Sequence, residues 1–245
     1  MIDKKIFSSI IDKYYLNGLC PSVKWKTDNN VLNIDFYSEN GDLVGKLVSS
    51  DFPLEDSEIA IFDTEALTRQ LRITSGNIDL NLNKTQNVFT KLLISDMNYD
   101  LHFSLADPFT IKQVPQVNED IKFNVEILLE SETINSLIKA KNALPKINTV
   151  TILPTINDVG ESLMKIVFGE TADYSNKITY SIEIDKIEGV PNSLTFNSDT
   201  LKEILEANKN AEHAKMYVSY DGLLKFEFIE EETHTSYFIA MKGEE

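Results

Sequence analysis

Three histidines, a run of three glutamates and one cysteine are the side chains best suited to chemistry in this 245-residue chain. His102, His213 and His234 lie far apart, in segments that alternate as strands do, and no local spacing joins them into a zinc site or a nucleophile–base pair. Glu230-Glu231-Glu232 falls at an expected turn, where carboxylates are solvated and need no metal. Cys20 precedes Pro21 and has no basic neighbour to lower its thiol pKa, so it reads as structural. Neither G-x-x-x-x-G-K-[ST] nor G-x-G-x-x-G occurs, and nine glycines leave little for a phosphate-cradling loop. Trp25 and the Tyr14-Tyr15 pair are of the type that stacks on bases, but on a strand and an amphipathic helix they fit a core better. These residues point to a chain with no catalytic role, no metal and no cofactor.

The remaining chemistry is electrostatic. Net charge is -16, which globally disfavours nucleic acid. The charge is uneven, however. Four segments have a helical period: about Lys4–Leu16 with Ile6, Ile10, Ile11 and Tyr14 on one face, Asp63–Arg72 with Leu67 and Leu71 inward, about Ser131–Ala143 with Ile134, Leu137 and Ile138 inward, and Ser198–Asn208 with Leu201, Ile204 and Leu205 inward. Asp63 or Thr64 and Ser198 are the expected caps of the second and fourth. Windows over these helices, the third extended to Lys146 and the fourth to Lys209, hold ten basic and seven acidic residues; the rest of the chain holds 13 and 32. Exposed helix faces often carry Lys because it suits helices and solvates well. Here the contrast is between mildly basic helices and acidic strands. On a helical wheel Lys5, Arg69 and Lys139 point away from the apolar stripes, Arg72 and Lys202 flank them, and Lys141 projects toward the apolar side.

Most of the rest alternates with period two: VLNIDFYS from Val31, IDLNLN from Ile78, DLHFSLA from Asp100, KITYSIEI from Lys177, MYVSY from Met216 and LKFEFIE from Leu224. Glu39-Asn40-Gly41-Asp42, Glu188-Gly189 and Asp221-Gly222 are turn signals, the last an expected hairpin. The order helix, strands, helix, strands occurs twice. Phe62-x4-Leu67-x3-Leu71 returns as Phe196-x4-Leu201-x3-Leu205, and Ile10, Ile11 and Val23 return as Leu137, Ile138 and Val150 at one constant offset. The expected class is α+β: two similar domains, 1–112 and 119–245, each a mostly antiparallel sheet with two helices on one face. Residues 113–118 join them, and Pro115 favours an extended crossing.

Two half-chain repeats, two helices in each, an extended connector, an acidic exterior and lysines on the helices together resemble DNA sliding clamps, the ring-shaped processivity factors of replicative polymerases. The likeness is carried by EIAIFDTEALTRQL (Glu58–Leu71), INSLIKAKNALPKINTVTI (Ile134–Ile152), KITYSIEI (Lys177–Ile184) and TSYFIAMK (Thr235–Lys242), and it is most similar to the clamps of T4-like bacteriophages. The stretch Asn17–Asp51 departs from that pattern. The resemblance implies a homotrimer that encircles double-stranded DNA and tethers the DNA polymerase for viral DNA replication. It implies a clamp-loader ATPase as a further partner, no membrane, and the cytoplasm of a bacterial host, which suits a chain with one cysteine and no signal-peptide pattern. In it the helices line the pore, so Lys5, Arg69, Arg72, Lys139 and Lys202 are expected to face DNA, with Lys4, Lys13, Lys146 and Lys209 beside them. Sheet edges join the subunits, implicating Leu101, Phe103 and Leu105 and Ile178, Tyr180 and Ile182. Partner peptides dock on the outer face, where Val114, Pro115 and Val117 are expected to border the pocket. A tail- or capsid-associated β-rich phage protein is an alternative from another class: it too is acidic, oligomeric and without an active site, but it does not predict basic helices in both halves. An enzyme with a site assembled from distant carboxylates is the third reading.

Overall fold

The computed structural model describes residues 1–118, 120–169, 176–185 and 193–243. The Glu188-Gly189 turn signal lies outside the described residues. The chain divides into two compact units, the first comprising Met1–Glu39, Val44–Pro115 and Glu231–Thr235, the second Asn40–Leu43, Gln116–Glu230 and Ser236–Glu245.

In chain order the elements are β1 (Ile2–Asp3), α1 (Lys4–Tyr15), β2 (Val23–Asp28), β3 (Val31–Tyr37), β4 (Leu43–Ser49), β5 (Ser57–Ile61), α2 (Thr64–Leu71), β6 (Asn77–Thr85), β7 (Val88–Ser95) and β8 (Asp100–Ser104). They continue with β9 (Val125–Leu128), α3 (Ser131–Ala143), β10 (Thr149–Ile156), β11 (Ser162–Phe168), β12 (Ile178–Glu183), β13 (Leu194–Asn197), α4 (Ser198–Ala207), β14 (His213–Ser219), β15 (Leu223–Glu230) and β16 (Thr233–Ala240). The described residues thus form an α+β fold with antiparallel sheets and four α-helices. Gln113–Asn118 takes no regular structure. Asp221-Gly222 makes the expected hairpin turn between β14 and β15, with Gly222 at φ +90°, where only glycine sits without strain.

In the first unit one run of strands is ordered β5-β2-β3-β4 and a second β1-β6-β7-β8. Helices α1 and α2 pack against each other. Asp3 caps α1 by accepting from the Lys5 N–H (2.6 Å), and Asp63 caps α2 by accepting from the Ala66 N–H (2.8 Å). The buried stripe of α1 is Phe7, Ile10, Ile11 and Tyr14. Ile6, expected inward, is exposed, because i, i+3, i+4, i+7 counted back from Tyr14 selects Phe7. Trp25 is wholly buried at the centre of an aromatic cluster, with ring centroids 5.8 Å from Phe7, 6.0 Å from Phe52 and 6.3 Å from Tyr14. Trp25 and Tyr14 are therefore core residues, as their settings in strand and helix favour.

In the second unit the corresponding runs are β16-β15-β14-β9 and β12-β11-β10-β13, and α3 packs against α4. The cap of α4 is Asn197, whose side chain accepts from the Asp199 and Thr200 N–H groups, rather than Ser198. Ser198 is buried and its hydroxyl donates to the Ile147 carbonyl (2.9 Å).

The repeat is close in the helices. Adding 127 to the buried positions of α1 (7, 10, 11, 13, 14) gives those of α3: Ile134, Leu137, Ile138, Ala140 and Lys141. Adding 134 to Asp63, Thr64, Leu67 and Leu71 gives Asn197, Ser198, Leu201 and Leu205, again cap for cap and buried for buried. It slips in the strand before α2. Phe196 is buried, whereas its sequence counterpart Phe62 is 60% exposed. In the first unit Val23 pairs with Ile61; in the second Val150 pairs with Phe196, one position later in the repeat.

Replacing Trp25 by Ala is expected to destabilise the chain by about 3–5 kcal/mol, as for other buried aromatic truncations. Denaturant unfolding followed by far-UV circular dichroism checks this, since Trp25 is also the only tryptophan fluorophore.

Candidate nucleic-acid interface

A helix lying on a sheet buries one stripe and leaves the rest of its surface outward. In α1 and α2 the outward surface carries Lys5, Arg69 and Arg72, all exposed; in α3 and just beyond it, Lys139 and Lys146, also exposed. Lys5, Arg72, Lys139 and Lys146 make no side-chain ion pair or hydrogen bond among the described residues, so their charges are open to an external anion.

The other basic candidates are engaged. Arg69 pairs with Glu65 at 3.3 Å, Lys202 with Glu203 at 3.5 Å and Lys209 with Glu206 at 3.6 Å. The Arg69 and Lys209 pairs are solvated and worth about 0–1 kcal/mol, so exchange of the carboxylate for a phosphate costs little there. Lys202 is half-buried and Lys209 exposed.

Lys4 and Lys13 play different parts from those expected. The Lys4 ammonium, half-buried, donates to the carbonyls of Arg72 (3.3 Å) and Thr74 (2.5 Å). It caps the C-terminal end of α2 and offsets that end's partial negative charge. Lys13 is a correction: it is only 1% exposed, and its ammonium donates to Ser9 Oγ at 2.6 Å. The stripe at 10, 11 and 14 carries position 13 inward with it. Lys141, set on the apolar side of its wheel, is buried likewise; it forms a 2.8 Å ion pair with Asp199 and donates to the Pro145 carbonyl.

These contacts position the open cations. Lys4 fixes the start of α1 beside the end of α2. Asp96 secures the loop after α2, accepting the N–H groups of Asn98, Ser75 and Tyr99 at 2.8 Å each. Its carboxyl is held below the usual carboxylate range, first by the Asn98 N–H and then by that of Ser75. A lowered carboxyl pKa stabilises the fold above its unfolded value, and that contribution is lost as pH falls through the folded one. In the second unit the Lys141–Asp199 pair and the Ser198–Ile147 bond hold the end of α3 beside the start of α4.

Strand β8 is an edge of β1-β6-β7-β8, and β12 is an edge of β12-β11-β10-β13. Edge strands leave backbone groups free to pair. The side chains of the expected interface residues face the strands' own covered side: Phe103 is buried, and Leu101, Leu105, Ile178, Tyr180 and Ile182 are half-buried. Along β8 lies a cavity of about 360 Å³, lined by Phe62, Ala66 and Gln70 from the α2 side and His102, Ser104 and Ala106 from the β8 side. The sequence repeat hid Phe62 by matching it to Phe196; strict alternation from Ile59 and Ile61 would have turned it outward. Val114 and Val117 are half-buried and Pro115 exposed, and none of them lines that cavity. No group of three or more His, Cys, Asp or Glu side chains among the described residues is placed to hold a metal, and no described helix is long and apolar enough to cross a membrane.

No family model and no curated protein matches the chain. Solved structures do. The Proliferating Cellular Nuclear Antigen of Entamoeba histolytica is similar with a TM-score of 0.75 and 14% identity, over 98% of this chain and 96% of that one. A chain of the PCNA2–PCNA3 complex of Sulfolobus tokodaii gives 0.73 and 13%, over 100% and 98%. The PCNA of A. fulgidus, bound to the C-terminal region of FEN-1, gives 0.76 and 13%, over 100% and 98%. The chain has the fold of these clamp structures along its whole length.

Because Asp199 is half-exposed and Lys141 buried, Asp199→Ala is expected to cost about 1–3 kcal/mol by stranding the ammonium, and Lys141→Met less than that. Urea midpoints of the two variants check the order.

Proposed function

We propose that this chain is a DNA sliding clamp: a ring around duplex DNA that holds a DNA polymerase to its template and has no catalytic activity of its own. The observation that carries the reading is the row of open cations on the outward surface of the helices in a chain of net charge -16. An acidic protein whose helices carry a share of lysine and arginine out of proportion to their length has a surface better suited to phosphates on the helices than on the acid-rich remainder. The clamp fold supplies the geometry, since a ring built from such units turns its helices to the hole.

Contacts of this kind touch the backbone only, so the ring is indifferent to base sequence. They also need to be weak. Each tight phosphate contact adds a barrier to sliding, whereas retention by a closed ring is topological and needs no affinity. Lys5, Arg72, Lys139 and Lys146 are the principal proposed DNA-facing residues; Arg69, Lys202 and Lys209, each held by a glutamate, are secondary. Lys4 serves by fixing α2 rather than by meeting phosphate.

A two-domain chain completes a six-domain ring as a homotrimer, with domains 1–112 and 119–245 linked by 113–118. The open edges of β8 and β12 are the proposed junctions, joined by backbone pairing. Phe62, exposed in the groove along β8, supplies apolar surface beside that edge. The structural relatives fit such a role: one is a complex of PCNA2 with PCNA3, and another is bound to the C-terminal region of FEN-1. By that analogy a polymerase tail peptide docks on the outer face near Val114, Pro115 and Val117, and a clamp-loader ATPase opens the ring. A T4-like phage growing inside a bacterial host is the proposed setting.

The ring reading is tested by loading the chain on nicked circular DNA with its polymerase and then cutting the circle. Release on linearisation, with retention on the intact circle, is expected. Equal retention on both would mean ordinary adhesion and would refute it. Alanine at Lys5, Arg72, Lys139 and Lys146 together is expected to reduce processivity while leaving the mass of the assembly unchanged.

A further inference from the structure

The repeat that matches the buried positions of the helices inverts the charge at four outward ones, while Glu65 and Asp199 keep the same sign. At the offset relating α1 to α3, Lys5 corresponds to Glu132 and Asp12 to Lys139; at the offset relating α2 to α4, Arg69 corresponds to Glu203 and Arg72 to Glu206. Every one of these positions lies off the buried stripe.

The inversion sorts by end of the helix pair. In the first unit the Lys4 bonds to the Arg72 and Thr74 carbonyls place the start of α1 beside the end of α2. Lys5 and Arg72 therefore share one end and Asp12 and Asp63 the other, with Arg69 and Glu65 paired between them. In the second unit the Lys141–Asp199 pair and the Ser198–Ile147 bond place the end of α3 beside the start of α4. There the start of α3 and the end of α4 carry Glu132, Glu203 and Glu206, and Lys209 at that end is already paired with Glu206. The open cations, Lys139 and Lys146, belong to the end of α3.

Helix stability explains only part of this pattern: Arg69 and Arg72 at the C-terminal end of α2 and Glu132 in the first turn of α3 suit the helix dipole. A cation in the first turn of α1 and an anion in the last turn of α4 both oppose the helix dipole, and α1 has no acidic residue in its first turn while α4 has no basic one in its last. Lys5, Asp12 and Glu206 are the charges that the preference of their own helices leaves unexplained.

We propose that each unit meets DNA phosphates through one end only of its helix pair, and that the ends are opposite: the α1-start/α2-end of the first unit, through the open cations Lys5 and Arg72, and the α3-end of the second, through Lys139 and Lys146. This rests on the clamp reading and specifies which phosphates it engages. Positions 5 and 12, or 132 and 139, are seven residues apart, about 10 Å along a helix. That is about a Debye length at physiological salt, so a cation moved between them no longer reaches the same phosphate. The acidic ends repel the backbone, so the phosphates touched are few and chosen by position.

Charge transposition tests this at constant net charge. Two full-length variants are made, K5E/D12K and E132K/K139E, and compared with the parent chain for affinity to a labelled duplex across a salt series. Sedimentation gives the assembly state and thermal melting the fold. The second variant keeps the test sound if Lys at position 12 disturbs the adjoining buried Lys13. Each transposition is expected to weaken duplex binding about threefold or more, with assembly unchanged. The salt slope should flatten by about 0.9 for each phosphate that the variant no longer neutralises. Unaltered affinity in both variants, with normal binding by the parent, overturns the proposal and leaves the clamp reading standing. Loss of self-association in step with DNA binding also overturns it, because the inverted charges would then pair one copy with another. A parent chain that neither binds duplex nor is retained on circles removes both readings together.

Discussion

Each helix here has a single apolar stripe, and the rest of the architecture follows from where that stripe must go. Phe7, Ile10, Ile11 and Tyr14 leave water only if α1 lies against its unit, and Ile134, Leu137 and Ile138 demand the same of α3. Once these faces are committed, the opposite faces of the helices are left to solvent. What is written on them is free of packing constraint and available for binding. The same restriction explains Lys13. A cation that shares the stripe's side of the wheel goes inward whatever its charge, and a hydroxyl is close enough to receive it.

Polar side chains then set how the helices sit. The two units solve the same problem with different residues. At the position where α1 has the buried phenol of Tyr14, α3 has Lys141, bound to Asp199. Burial raises the Tyr14 pKa, so it stays neutral, whereas the Lys141 side chain lies beside a carboxylate that still touches water. A repeat can thus keep its shape while its polar chemistry diverges. That freedom extends to the outer faces, where four charges change sign between units.

Much of this was legible in the sequence, for a physical reason. Helical periodicity and turn residues are local signals, so α3 (Ser131–Ala143), the Asp63 cap and the Asp221-Gly222 hairpin follow from neighbours along the chain. The outward setting of Lys5, Arg69 and Lys139 follows from the same wheel. What was not legible depends on interactions distant in sequence or on a shift of one residue. The capping of α2 by Lys4 spans 68 residues. The exposure of Phe62 turns on a one-position difference in strand register. Ile6 in place of Phe7 is a one-residue slip of the same kind. The family likeness located the fold from order and spacing, at an identity to solved clamps of only 13–14%.

The central claim is that the helix faces, and not the sheet faces, meet duplex DNA. Lysine acetylation read by mass spectrometry, on the chain alone and on the chain loaded on circular duplex, tests it most directly. Lys5, Lys139 and Lys146 should lose reactivity on loading, while Lys24, Lys46 and Lys91, which point away from the core on strands, should keep theirs. Protection of the strand lysines with the helix lysines unchanged would contradict the account.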